Sequence, residues 1–169
     1  MSEEDKNIIN NLFVFAFDEK FFQNFCKGLR VSDENVSNED EYAFISISNY
    51  GNKDDHYFHS NHDNVLNQEF DDVDDSFTES FDANQAKEMM EFIKRNLGRN
   101  FVIHCKAGKS RSQGVCRYII DTYPCMYSDN RTNKSNPCIT PNWHVVTMLK
   151  RVYREMNENK EENNDIKTE

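Results

Sequence analysis

Between positions 104 and 112 the chain reads His104-Cys105-Lys106-Ala107-Gly108-Lys109-Ser110-Arg111-Ser112, with an arginine six residues after a cysteine and one glycine between them. The compact apolar run Phe101-Val102-Ile103 precedes it, and Val115, Ile119 and Thr122 follow at helical spacing, so the segment reads as a loop joining a buried strand to a helix. Backbone N–H groups in such a loop converge on one point, where the helix dipole adds partial positive charge, and a phosphate fits there. Lys106, Ala107, Gly108, Lys109, Ser110 and Arg111 are the candidate phosphate-binding residues. The field that draws phosphate also favours a thiolate at Cys105, which makes it a nucleophile. Arg111 can fork two N–H donors onto a phosphoryl group and meet the charge that spreads over its equatorial oxygens in the transition state. Gly108 lets the loop bend where a side chain would block the anion, and a hydrogen bond from Ser112 to the Cys105 sulfur would help that sulfur leave. His104 is expected to orient the loop backbone from a buried position.

The pattern His104-Cys105-x5-Arg111-Ser112 resembles the signature of the cysteine-based protein tyrosine phosphatase superfamily, and Ala107-Gly108-x-Ser110-Arg111-Ser112 is most similar to its dual-specificity branch. From this chain's own composition the core of that pattern would arise by accident with a probability on the order of 10⁻⁵. The resemblance extends more loosely from about Tyr42 to Tyr123. It implies a two-step reaction through a phosphocysteine, without metal or cofactor, on a phosphorylated protein or peptide. In that scheme an upstream Asp protonates the leaving oxygen and later activates water. In the family this Asp lies on a loop some thirty residues before the Cys, and Phe70-Asp71-Asp72-Val73-Asp74-Asp75 occupies that interval. Asp72, between the apolar Phe70 and Val73, is the assigned acid, and Asp71, Asp74 and Asp75 are the alternatives. The Trp-Pro-Asp loop of the larger tyrosine-specific enzymes is absent.

These residues need a scaffold. Leu12 to Phe17 reads as a strand, and Asp18 as a cap for a helix carrying Phe21, Phe22, Phe25 and Leu29. Tyr42 to Ile47 is a second strand ending in the turn Asn49-Tyr50-Gly51-Asn52, and Val65, Leu66 and Phe70 mark a weaker third. Asp82 with Gln85 forms a capping box for a helix through Ala86, Met89, Phe92, Ile93 and Leu97 that Gly98 stops. Pro124 is expected to end the helix after the loop, and Thr140-Pro141 to cap and open a last helix through Val145, Leu149, Val152 and Met156. Strands alternating with helices predict an α/β fold, with a mainly parallel sheet of roughly four to five strands covered by helices on both faces. Residues 1–156 are expected to form one phosphatase-like domain, and the polar stretch 157–169 a frayed tail.

The 169 residues carry 20 Lys and Arg against 30 Asp and Glu, a net charge of −10, which excludes a protein that coats nucleic acid through its phosphates. No apolar run reaches the ~18 residues of a membrane span. The acidic N-terminus predicts a cytoplasmic protein, not an exported one. The five cysteines form no CxxC pair, so Cys26, Cys116, Cys125 and Cys138 read as structural thiols. His56, His59 and His62 read as a solvated loop with no metal role, and Trp143 and Tyr153 as core. Gly108-Lys109-Ser110 does not close a nucleotide P-loop, because position 103 is Ile where that motif needs Gly.

The leading function is hydrolysis of phosphotyrosine, extending to phosphoserine and phosphothreonine if the pocket is shallow. Lys106 and Lys109 open an alternative, since the loop is similar to that of lipid-directed members acting on phosphoinositides. Where those continue Gly-Arg-Thr-Gly, however, this chain has Ser110, Arg111, Ser112 and Gln113. RNA 5′-triphosphate, a phosphate-binding module without turnover and a sulfurtransferase are the remaining readings. The oligomeric state is left open.

Overall fold

The computed structural model describes residues 12–74, 78–123, 127–128 and 140–165. Strands β1 (Phe13–Asp18), β2 (Tyr42–Ser48), β3 (Val65–Glu69), β4 (Asn100–Cys105) and the two-residue β5 (Tyr127–Ser128) form one sheet in the order β3-β2-β4-β1-β5, with all named pairs parallel. The helices are α1 (Glu19–Leu29), α2 (Ala83–Arg95), α3 (Arg111–Thr122) and α4 (Trp143–Asp165). The α/β architecture with a parallel sheet is therefore as the alternating pattern predicts.

β4 lies in the middle of the sheet, and its alternation assigns residues to two cores. Phe101, Ile103 and Cys105 face a large cluster built with α2, α3 and α4, which includes Phe92, Met89, Val115, Ile119 and Leu149. Val102 faces the opposite side, where α1 supplies Phe22 and Cys26 against Phe17, Phe44 and Phe58. His104 points the same way, its ring centroid 4.1 Å from that of Phe22. Burial of these aromatics, each worth roughly 1.5–3 kcal/mol, fixes which face every β4 side chain takes.

Local chemistry sets most helix starts. Asp18 accepts a 2.7 Å bond from Phe21 N at the head of α1, and Asp82 and Gln85 form the expected capping box on α2. Several ends differ from expectation. α2 stops at Arg95, where Asn96 turns its side chain back onto Phe92 O and across to Asp63 O, so Asn96 ends the helix before Gly98 is reached. α4 is capped by Asn142, whose Oδ1 accepts from Val145 N at 3.2 Å, while Thr140 and Pro141 lie outside the helix. Its backbone stays helical to Asp165, where a frayed tail was expected from Asn157. Residues 157–165 contain four Asn, three Glu, one Lys and one Asp, with no Gly or Pro to break the helix that the apolar turns of α4 begin. α3 ends at Thr122, and Pro124 lies outside the described residues.

Candidate active site

Cys105 is the last residue of β4 and Arg111 the first of α3, so the intervening loop sits at the carboxyl edge of the sheet, where parallel α/β folds bind ligands. Four loop carbonyls are anchored away from its centre. Lys106 O accepts from Glu19 N (3.4 Å), Gly108 O from Gln113 Nε2 (3.0 Å), Lys109 O from Thr140 Oγ1 (2.8 Å), and Ser110 O from both Asn142 N (3.0 Å) and Gly114 N (2.8 Å). In a trans peptide the carbonyl and the next N–H point in opposite directions. The amides of Ala107, Lys109, Ser110 and Arg111 therefore turn inward, as an anion cradle requires.

Gly108 has φ +66°, in the left-handed region. A Cβ there would come within 2.5 Å of Asp18 N and 2.6 Å of Phe17 C, which corrects the sequence-based reason for this glycine. It lets the loop press against the end of β1; a side chain would strike that backbone, not the anion.

Cys105 is buried, with its Sγ 3.3 Å from Ser112 Oγ. Arg111 is also buried and is braced from one side: its Nη1 donates to Phe70 O at 2.7 Å, just after β3, and to Ser48 O at 3.2 Å, at the end of β2. Its Nε is buried without a hydrogen-bond partner. An unmade bond to a buried neutral donor costs on the order of 1–3 kcal/mol and to a charged one more, so this edge of the guanidinium is poised for an acceptor.

Among the described residues of the acidic stretch, Asp72 is tied to the loop. Its Oδ1 accepts from Ser110 Oγ and from Asn142 Nδ2, both at 2.7 Å. Asp71 is turned away, its Oδ1 accepting from Tyr50 N at 3.0 Å. Asp74 lies beside Asp72 in the wall of an adjoining cleft, and Asp75 is outside the described residues.

Beneath the loop runs a buried polar chain. Ser46 Oγ is 2.6 Å from both His104 Nε2 and His56 Nδ1, and Ser48 Oγ is 3.1 Å from His56 Nε2. A hydroxyl has one proton, so Ser46 donates to one ring and accepts from the other. Burial pushes His104 down to about 3 and also lowers His56, with Glu69 and Asp55 pulling His56 the other way. Both rings are neutral near pH 7. His104 is buried as the sequence suggests and lies in β4, but His56 is not the solvated residue expected. His62 bonds Asp33 at 2.9 Å and His59 is exposed, so the three histidines do not converge.

Lys106 is exposed and its ammonium is held by Glu19, a hydrogen bond that raises its pKa. Lys109 is exposed. Cys26 and Cys116 are buried as expected of structural thiols, and burial pushes Cys26 up to about 12; Cys125 and Cys138 lie outside the described residues. Trp143 is 60% exposed, which corrects its assignment to the core. Sequence reasoning missed Asn142, Gln113, Thr140, Ser46 and His56. An Asn just before an apolar-periodic run is a capping signal that points to Asn142, whereas the others depend on tertiary approach.

No family model matches the sequence, and no curated protein matches it. Among solved structures, the crystal structure of the PTP-2 phosphatase of Cydia pomonella is similar over 84% of this chain and 86% of that chain, at 19% identity and a TM-score of 0.41.

Proposed function

We propose that the protein is a phosphomonoester hydrolase that acts on phosphoprotein, phosphotyrosine above all, through a phosphocysteine at Cys105. The observation that carries this reading is Arg111, whose Nη1 is bonded to Phe70 O and Ser48 O while the buried Nε has no partner, beside a cradle of inward amides. That arrangement calls for a tetrahedral oxyanion within reach of the Cys105 sulfur.

In the first step the Cys105 thiolate attacks phosphorus, the phosphorus–oxygen bond to the substrate breaks, and Asp72 gives its proton to the leaving oxygen. In the second, water attacks the phosphocysteine, Asp72 takes the water's proton, and the sulfur–phosphorus bond breaks. The sulfur departs as a thiolate, stabilised by the Ser112 hydroxyl 3.3 Å away. Arg111 and the amides hold the equatorial oxygens through both steps. The ion pair of Lys106 with Glu19 weighs against a polyphosphate or phosphoinositide substrate, because it neutralises one of the two loop lysines.

The expected result is turnover of p-nitrophenyl phosphate that survives EDTA and is blocked by vanadate. Cys105→Ser should abolish it while still binding phosphopeptide. Normal turnover by that variant overturns the mechanism.

A further inference from the structure

Beside the loop opens a cleft of about 490 Å³ whose wall includes Ser110, Asp72, Val73, Asp74 and Trp143. Ser110 belongs to the cradle itself, so anything in the cleft adjoins a phosphate bound over Cys105. Trp143 opens α4 and leaves its large indole 60% exposed, an unusual position for the chain's single tryptophan. The polar groups around it are already engaged: Asn142 Nδ2 by Asp72, and His144 Nε2 by Phe81 O at 2.7 Å. Neither Lys nor Arg appears among the described residues that line the cleft, and the whole chain carries a net charge of −10. An indole face beside Asp72 and Asp74, in a chain of net charge −10, suits a cationic side chain through cation–π attraction and charge. The same surface repels a nucleic acid or an anionic lipid headgroup.

We infer that this cleft is a specificity subsite that takes a Lys or Arg side chain near the phosphorylated residue of a peptide substrate, with Trp143 as its contact surface. The inference rests on the phosphatase reading above. An extended peptide advances about 3.3–3.6 Å per residue, so residues up to three on either side of the phosphoresidue are the ones to vary.

The test compares phosphotyrosyl peptides that differ only in carrying Arg, Ala, Glu or Phe at those positions, with p-nitrophenyl phosphate as a substrate too small to enter the cleft. The expected result is a kcat/KM for the best Arg peptide about three- to tenfold above its Ala counterpart, with Glu below both. Trp143→Ala should bring the Arg-to-Ala ratio close to one without changing p-nitrophenyl phosphate turnover, and Trp143→Phe, which keeps an aromatic face, should retain part of the preference. An Arg preference indifferent to Trp143, or a Phe peptide ahead of the Arg peptide, overturns the subsite alone. So does a preference for phosphoinositide vesicles that Trp143→Ala removes, which would assign the indole to a lipid surface. Absence of any turnover by the unmodified protein overturns the phosphatase reading and the subsite with it.

Discussion

Asp72 is held by one oxygen. Ser110 and Asn142 both donate to Oδ1, so in the proposed mechanism Oδ2 is the atom that carries a proton to the leaving group. General acids contribute roughly 10²- to 10⁴-fold, and their contribution grows with the basicity of the oxygen they protonate. Asp72→Asn should therefore slow p-nitrophenyl phosphate, whose phenolate departs unaided, by only about tenfold. Phosphotyrosine should slow by about 10²- to 10³-fold. A uniform loss across leaving groups would reduce Asp72 to a structural tie, and a steeper leaving-group dependence in Asp74→Asn would move the role to Asp74. At this scale the sequence speaks where chemistry dictates residue type and spacing: Cys105, Arg111 and Ser112 are proposed from what a phosphoryl group demands, and Asp72 from the interval that the resemblance implies. It was silent on Gln113 and Thr140, whose task is to hold the loop carbonyls outward. Any donor of suitable reach would serve there, and only the approach of α3 and α4 reveals which residues do.

That approach is made by two helices, and Gly114 faces Asn142 and Val145 at the start of α4. A Cβ on Gly114 would lie 2.9 Å from Asn142 O and 3.1 Å from Val145 Cβ, and the first of these is backbone that cannot swing aside. Replacing Gly by Ala inside a helix ordinarily gains about 1 kcal/mol, whereas overpacking costs about 1–3 kcal/mol. The clash should win. Gly114→Ala is expected to lower Tm by a few degrees and, by moving Asn142 off Asp72 and Ser110, to reduce kcat as well. A more stable protein with unchanged kcat would show that the contact yields freely. The elements themselves were largely readable, because the capping box of α2 and the apolar runs of β1, β2 and β4 are signals that lie within a few residues of one another. The start of α4 was not. Thr140-Pro141 has the local chemistry of a helix opening, but Thr140 is drawn to Lys109 O and Gln113, so the cap falls to Asn142. His56 was misread for a similar reason, since a polar loop gives no hint that one of its imidazoles folds under β2 to reach Ser46 and Ser48.

Across the molecule the two faces of the sheet differ in what they bury: the α2, α3 and α4 side sets Gln68 against α2 beside a large apolar cluster, while the α1 side buries the imidazoles of His104 and His56, His104 against Phe22. That asymmetry sets a pH dependence of stability. The unfolded chain binds protons on these histidines near 6.5, whereas folded His104 does so only at about 3 and His56 at a lowered value. Below 6.5 the unfolded state therefore holds more protons, and stability must fall as pH drops through that window. The net charge of −10 works the other way, because acidification relieves self-repulsion. Surface charges are screened beyond about 8 Å at physiological ionic strength, and a buried imidazole is not, so the histidine effect should dominate. The depressed carboxylates Asp33 and Asp121 lose their contribution only below their ordinary 3.8 and leave the range from pH 7 to 5 untouched. Tm is accordingly expected to decline between pH 7 and pH 5, more steeply in high salt where the opposing surface repulsion is screened, and the slope should flatten in His104→Gln even if that variant is less stable throughout. A Tm that rises toward pH 5 in high salt would mean that protons enter the folded relay freely, and the neutral imidazoles beneath Cys105 would then have to be abandoned.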